Sequence, residues 1–232
     1  MGTADKLRYF TNRSNQLHRQ YLADPEFLKR YERFVTWQIS YMLPFYKELR
    51  LREDTKTAID FVVSDLAGTE ISERDLEIQR VVPAMIRILP GKALRTIASG
   101  MEMNARILEL NLSIYKTYHR QNNDATIYTE KKYCIAAREA TSLGECIELI
   151  SLTKQLGYDL ERIVRIPLIG LSLKAMRKPA SLAGFSSLQL FLEKGYSAFS
   201  KLDSVDQFLR TTETKMRQMF EHIYLSPLPN ID

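Results

Sequence analysis

Apolar residues recur along this chain at intervals of three and four, the period of a helix that buries one face. Runs of β-branched residues are short, and only Ala125–Thr129 has the alternation of an isolated strand. The pattern therefore predicts an all-α protein of about ten helices. The segment 92–120 is the strongest of them. Leu94, Ile97, Met101, Asn104, Leu108, Asn111, Tyr115 and Tyr118 follow a strict 3-4 spacing, and Met103, Ile107, Leu110 and Ile114 form a second apolar stripe. Only a strip of Arg95, Glu102, Arg106, Glu109 and Lys116 is left for water, so neighbours should cover this helix on most sides. Gly100 in its middle suggests close approach of another backbone.

Helix starts and stops surround this element. Asp24-Pro25 supplies an N-cap and a first-turn proline for a helix running toward Arg50. Asp54 is placed to cap a helix to Leu66 with Gly68 as its exit, and Ser72 starts another that runs to Leu89. Ser142-Leu-Gly-Glu145 spells a capping box, with Gly157 closing its helix. Asp159 opens a helix ending before Pro179, and Ser186–Leu202 and Asp203–Tyr224 follow. Lys6–Leu22 and Glu130–Thr141 complete the set. Pro44, Pro83 and Pro167 fall inside apolar stretches that otherwise read as helix, where proline removes a backbone bond and clashes with the preceding turn. Bent or split helices are expected at each. No linker divides the chain, so residues 1–225 read as one multi-helix bundle around 92–120. The N-terminal helices 5–50 pack on it, and 226–232 form an irregular tail.

Charge changes the picture in one region. Residues 1–52 carry ten Lys and Arg against five Asp and Glu, while the remaining 180 residues carry 23 of each. Ten of the 23 aromatic residues also lie between Tyr9 and Tyr46. Arg8, Arg13, Arg19, Lys29, Arg30 and Arg33 are thus candidates to bind a phosphate backbone or an anionic membrane. No apolar run approaches the roughly 20 residues that span a bilayer, and residues 1–23 have no apolar leader core. The expected location is the cytoplasm, with Cys134 and Cys146 as reduced, buried thiols.

Chemistry-bearing motifs are sparse. His18, His119 and His222 stand in no Glu-x-x-His or His-Glu-x-x-His context, and no Cys-x-x-Cys, EF-hand loop, phosphate loop or nucleophile elbow occurs. Neither a metal nor a cofactor is expected. The sequence reads as a non-enzymatic binding or regulatory protein that holds an apolar small molecule or a partner helix in the bundle core. Met101, Asn104, Asn111, Tyr115 and Tyr118 would be its lining, because binding sites are mostly apolar with a few placed polar groups. Two alternatives stay open. One is nucleic-acid or anionic-membrane binding through the basic N-terminal helices. The other is a cofactor-independent enzyme assembled from distant groups, with His119, Glu102 and Cys134 as first suspects. The Phe- and Met-rich C-terminal helices suggest a homodimer.

Overall fold

The computed structural model describes residues 1–66, 72–123 and 127–228, and every regular element among them is helical. In chain order these are α1 (Thr3–Leu22), α2 (Pro25–Met42), α3 (Lys47–Leu51), α4 (Glu53–Phe61) and α5 (Ser72–Ile88). There follow α6 (Gly91–Gln121), α7 (Glu130–Ala140), α8 (Leu143–Val164), α9 (Ile169–Leu182), α10 (Ser186–Ser200) and α11 (Val205–Leu225). A 3-10 turn (Leu43–Tyr46) links α2 to α3, and a π-helical turn (Val62–Leu66) extends α4. The helix exit at Gly68 and the start of the Ala125–Thr129 stretch lie outside the described residues.

The long helix α6 is the axis of the bundle. It lies against α1, α2, α7 and α8; its first apolar stripe is buried along most of its length, while in the second Met103 and Ile114 are buried and Ile107 and Leu110 half-buried. Leu108, Leu112, Ile114, Tyr115 and Tyr118 join the largest core cluster with Phe34, Val35, Tyr133, Cys134, Cys146 and Phe220. Met101 belongs to a second cluster with Leu7, Ile78, Val82, Leu94 and Leu188. On α1 the buried face is partly polar. Leu7, Thr11, Ser14 and His18 are buried at 3-4 spacing, so this helix turns polar groups inward.

Local chemistry sets the ends. The Asp24 carboxylate accepts from the Glu26 and Phe27 amides at 2.9 and 3.2 Å, satisfying orphan donors of the first turn of α2. Ser142 and Glu145 form the reciprocal capping box at the start of α8. Helix α4 begins one residue before Asp54, whose carboxylate instead binds Arg52. The start of α10 is capped from elsewhere. The Glu77 carboxylate of α5 accepts from the Ser187 and Leu188 amides at 3.2 and 2.6 Å.

The prolines do three different things. Pro44 ends α2 and falls in the 3-10 turn, whereas Pro83 sits within an uninterrupted α5. Pro167 lies in a turn where Leu168 takes the left-handed conformation (φ 72°), so the expected helix from Asp159 to Arg177 is divided there. Its first part belongs to α8, which runs through Gly157 and Asp159 without a break. Helix α9 continues through Pro179 to Leu182.

Gly157 is therefore no helix end. A β-carbon there would overlap the Leu209 side chain, so the missing side chain lets α11 seat against α8. Gly100, expected to mark such a contact, has room for a side chain: a β-carbon there would make only an ordinary contact, 4.0 Å from Leu156. The two glycines should respond to alanine with opposite signs. Gly100→Ala gains up to about 1 kcal/mol from helix propensity. Gly157→Ala loses about 1–3 kcal/mol through overpacking. Chemical denaturation of the two variants beside the parent measures both.

Candidate functional site

Asn104 and Asn111 project from α6 seven residues apart, as expected, and both are buried. Each is bonded to side chains of the protein itself. The Asn104 amide nitrogen donates to Asp75 Oδ2 at 2.6 Å and to Ser14 Oγ at 3.1 Å, and its oxygen accepts from Arg74 Nη2 at 2.9 Å. Asp75 is the hub. His18 Nε2 lies 2.8 Å from its Oδ2, and Arg74 donates to its Oδ1 from Nε and Nη2 at 3.0 and 2.8 Å. Arg74 also donates to the Asp65 carbonyl at 2.8 Å, and its guanidinium lies 4.4 Å over the Phe191 ring.

Asp75 is fully buried, and Arg74 and His18 are 5% and 1% exposed. Burial alone pushes the Asp75 carboxyl upward, but the bond from His18 and the charge of Arg74 outweigh it and hold it below the usual carboxylate range. This cluster ties α1, α5, α6 and α10 at one point, and its polar groups are turned on one another.

Asn111 belongs to a second, smaller knot. Gln38 of α2 donates to Asn111 Oδ1 at 3.2 Å and to Tyr133 Oη at 2.9 Å. Tyr115 is enclosed by Phe27, Tyr31 and Phe34, with ring centroids 5.0 to 5.5 Å away, in edge-on arrangements that aromatic pairs favour. Tyr118 donates to the Ile127 carbonyl at 3.0 Å and accepts from the Thr129 amide, pinning the segment before α7. Met101, Asn104, Asn111, Tyr115 and Tyr118 are thus divided among separate clusters and do not line one chamber.

The groups considered for catalysis are also engaged. Glu102 pairs with Lys6 and Arg106, and the His119 ring lies tilted against Tyr115 with centroids 4.3 Å apart. Burial raises the Cys134 thiol and pushes Cys146 up to about 11, which keeps both protonated and weakly nucleophilic. Among the described residues no group of three or more His, Cys, Asp or Glu side chains is placed to hold a metal ion.

The basic N-terminal residues separate into two sets. On α1, Arg8 pairs with Asp5 and Arg13 with Glu109, while Arg19 points to solvent. On α2, Lys29, Arg33, Thr36 and Ser40 share one exposed face at 3-4 spacing, and neither Lys29 nor Arg33 enters an ion pair among the described residues. With Glu32, Trp37 and Tyr128 they line an open depression of about 510 Å³. Trp37 is half-buried there and stacks on Tyr41, with centroids 5.5 Å apart and planes 2° from parallel. Tyr128 is carried in by the chain before α7 and donates to the Arg30 carbonyl at 3.3 Å. Helical spacing gives the cations and Trp37, but Tyr128 comes from about a hundred residues away and has no local signal. A second depression, about 300 Å³, lies at the α6–α7 junction beside Lys131 and Lys132.

An all-helical bundle with a packed axial helix and a cationic, aromatic depression on its outside is the class these features define. The chain belongs to the family described as Domain of unknown function (DUF8198), whose model matches residues 17–227. No curated protein and no solved structure matches it.

The Asp75 hub makes a direct prediction. Asp75→Asn leaves Arg74 buried without its counter-charge and should cost about 3–5 kcal/mol. Adding Arg74→Met should recover part of that loss, with a coupling of about 0.5–3 kcal/mol in a double-mutant cycle. Because the folded Asp75 carboxyl titrates below its unfolded value, its stabilisation is present above about pH 4 and is lost as pH falls through the folded value. Denaturant midpoints followed from neutral pH into acid should drop less steeply in Asp75→Asn than in the parent.

Proposed function

We propose that this protein is a non-enzymatic binding protein whose α2 face takes single-stranded nucleic acid. One observation carries this reading: Lys29 and Arg33, one helical turn apart and in no ion pair among the described residues, flank the rings of Trp37 and Tyr128 at an open depression. Phosphates would sit on the two cations and a base against the Trp37–Tyr128 wall, the combination by which single strands bind without strong sequence preference. Glu32 on the rim opposes a phosphate and limits affinity. The bonding of Asn104 and Asn111 to protein side chains favours this outer surface over a ligand held in the core.

The single tryptophan makes the test specific. Titration with an oligothymidylate at low salt should quench Trp37 fluorescence. For two neutralised phosphates, log Kobs should fall against log salt with a slope of about −1.4. Lys29→Glu with Arg33→Glu should abolish the quench, and Glu32→Gln should tighten binding. An unchanged Trp37 signal at low ionic strength, or equal binding by the charge-reversed variant, overturns the reading.

A further inference from the structure

Helix α9 carries apolar residues on two sides, and only one side is partly covered, with Ala180 buried and Ile169 and Leu173 half-buried. Ile169, Leu173 and Ala180 turn toward α10, where Gln189 also donates to the Leu173 carbonyl at 2.6 Å. On the opposite side Leu171, Ala175, Lys178 and Leu182 recur at four, three and four, and all are exposed. Leu171 is 63% and Leu182 91% exposed, values far from those of a packing stripe. The preceding turn adds Ile166 and Leu168, at 50% and 68%. Leu168 is a non-glycine residue in left-handed backbone, a costly conformation that the fold retains while presenting this side chain outward.

Charge on this element has one sign. From Arg162 to Leu192 there is no Asp or Glu, while Arg162, Arg165, Lys174, Arg177 and Lys178 all fall in the interval. Arg162, Arg165 and Arg177 are paired with acids that lie outside it: Asp159, Glu161 and Glu193. Lys174 and Lys178 enter no ion pair among the described residues and border the exposed leucines.

We propose that the outward face of α9, with the turn at Ile166–Leu168, docks on an anionic lipid bilayer. An interfacial helix buries an apolar stripe at the headgroup boundary and sets cations beside it, which is the arrangement seen here. No described helix is long and apolar enough to cross a membrane, so the contact is with the surface. A second copy of this chain fits less well. A two-fold contact sets the patch on itself and would gather Lys174 and Lys178 of both copies in one interface. A partner helix wants a groove, whereas this face is the outer side of a single helix and both described depressions lie elsewhere. The proposal does not rest on the α2 site.

Flotation of the full chain with two vesicle populations tests it: phosphatidylcholine alone, and phosphatidylcholine with phosphatidylserine. The chain should float with the anionic vesicles at low salt and stay down with the neutral ones. Lys174→Gln with Lys178→Gln should lower the partition coefficient about 30-fold. Leu171→Ser with Leu182→Ser should abolish flotation while leaving the circular dichroism unchanged and lowering the denaturation midpoint only slightly, because both side chains are mostly in water and the cost is chiefly helix propensity. Lys29→Glu with Arg33→Glu should float like the parent, which separates this surface from the α2 site. Failure to float with anionic vesicles, or flotation unaffected by the leucine pair, overturns the proposal. So does a dimer in sedimentation that the same leucine substitutions dissolve, or tighter binding to an acidic amphipathic peptide than to the vesicles.

Discussion

A carboxylate with no access to water governs how this bundle closes. Removing Asp75 from solvent carries a desolvation penalty that a single partner rarely offsets. The fold surrounds it with a guanidinium, an imidazole and an amide from three helices. Each partner is fixed in turn: Arg74 by the Asp65 carbonyl and the Phe191 face, Asn104 by Ser14. Helices α1, α5 and α6 cannot slide past one another without leaving a charge or an amide unsatisfied. Apolar contacts alone tolerate such shifts, because they are non-directional. The cluster therefore specifies register where the leucines around it supply the bulk of burial.

Much of this architecture was legible in residue spacing. The twin stripes of α6, the Asp24-Pro25 start and the Ser142–Glu145 box each rest on chemistry within one or two turns, and each is found where expected. Proline and glycine were less legible because their effects depend on what lies across from them. Pro44, Pro83 and Pro167 look alike in sequence, yet one ends a helix, one stays within it and one marks a division between two. Gly157 resembles a helix exit until Leu209, from a helix some fifty residues later, is seen to occupy the space above it.

The same limit applies to the polar residues. Periodicity placed Asn104 and Asn111 on an inward face but could not name their partners, since Asp75, Ser14 and Gln38 come from other helices. Nor could it divide the basic N-terminal residues. Arg13 is matched by Glu109 across the bundle, whereas Lys29 and Arg33 meet no acid among the described residues. The exposed stripe on α9 escaped for the converse reason: Leu171 and Leu182 repeat as core residues do, and spacing reports that residues share a face, not whether anything covers it.

The Glu77 carboxylate at the start of α10 bears on the order in which the chain assembles. Phe185, at the head of that helix, has no side-chain oxygen to receive the first amides, so the acceptor is borrowed from α5, more than a hundred residues upstream. Nucleating a helix is unfavourable until its end is satisfied and its face is packed. Helix α10 should thus gain its full persistence only after α5 has docked. During synthesis from the N-terminus, α5 has emerged well before its client, and the late arrival completes a site already waiting for it.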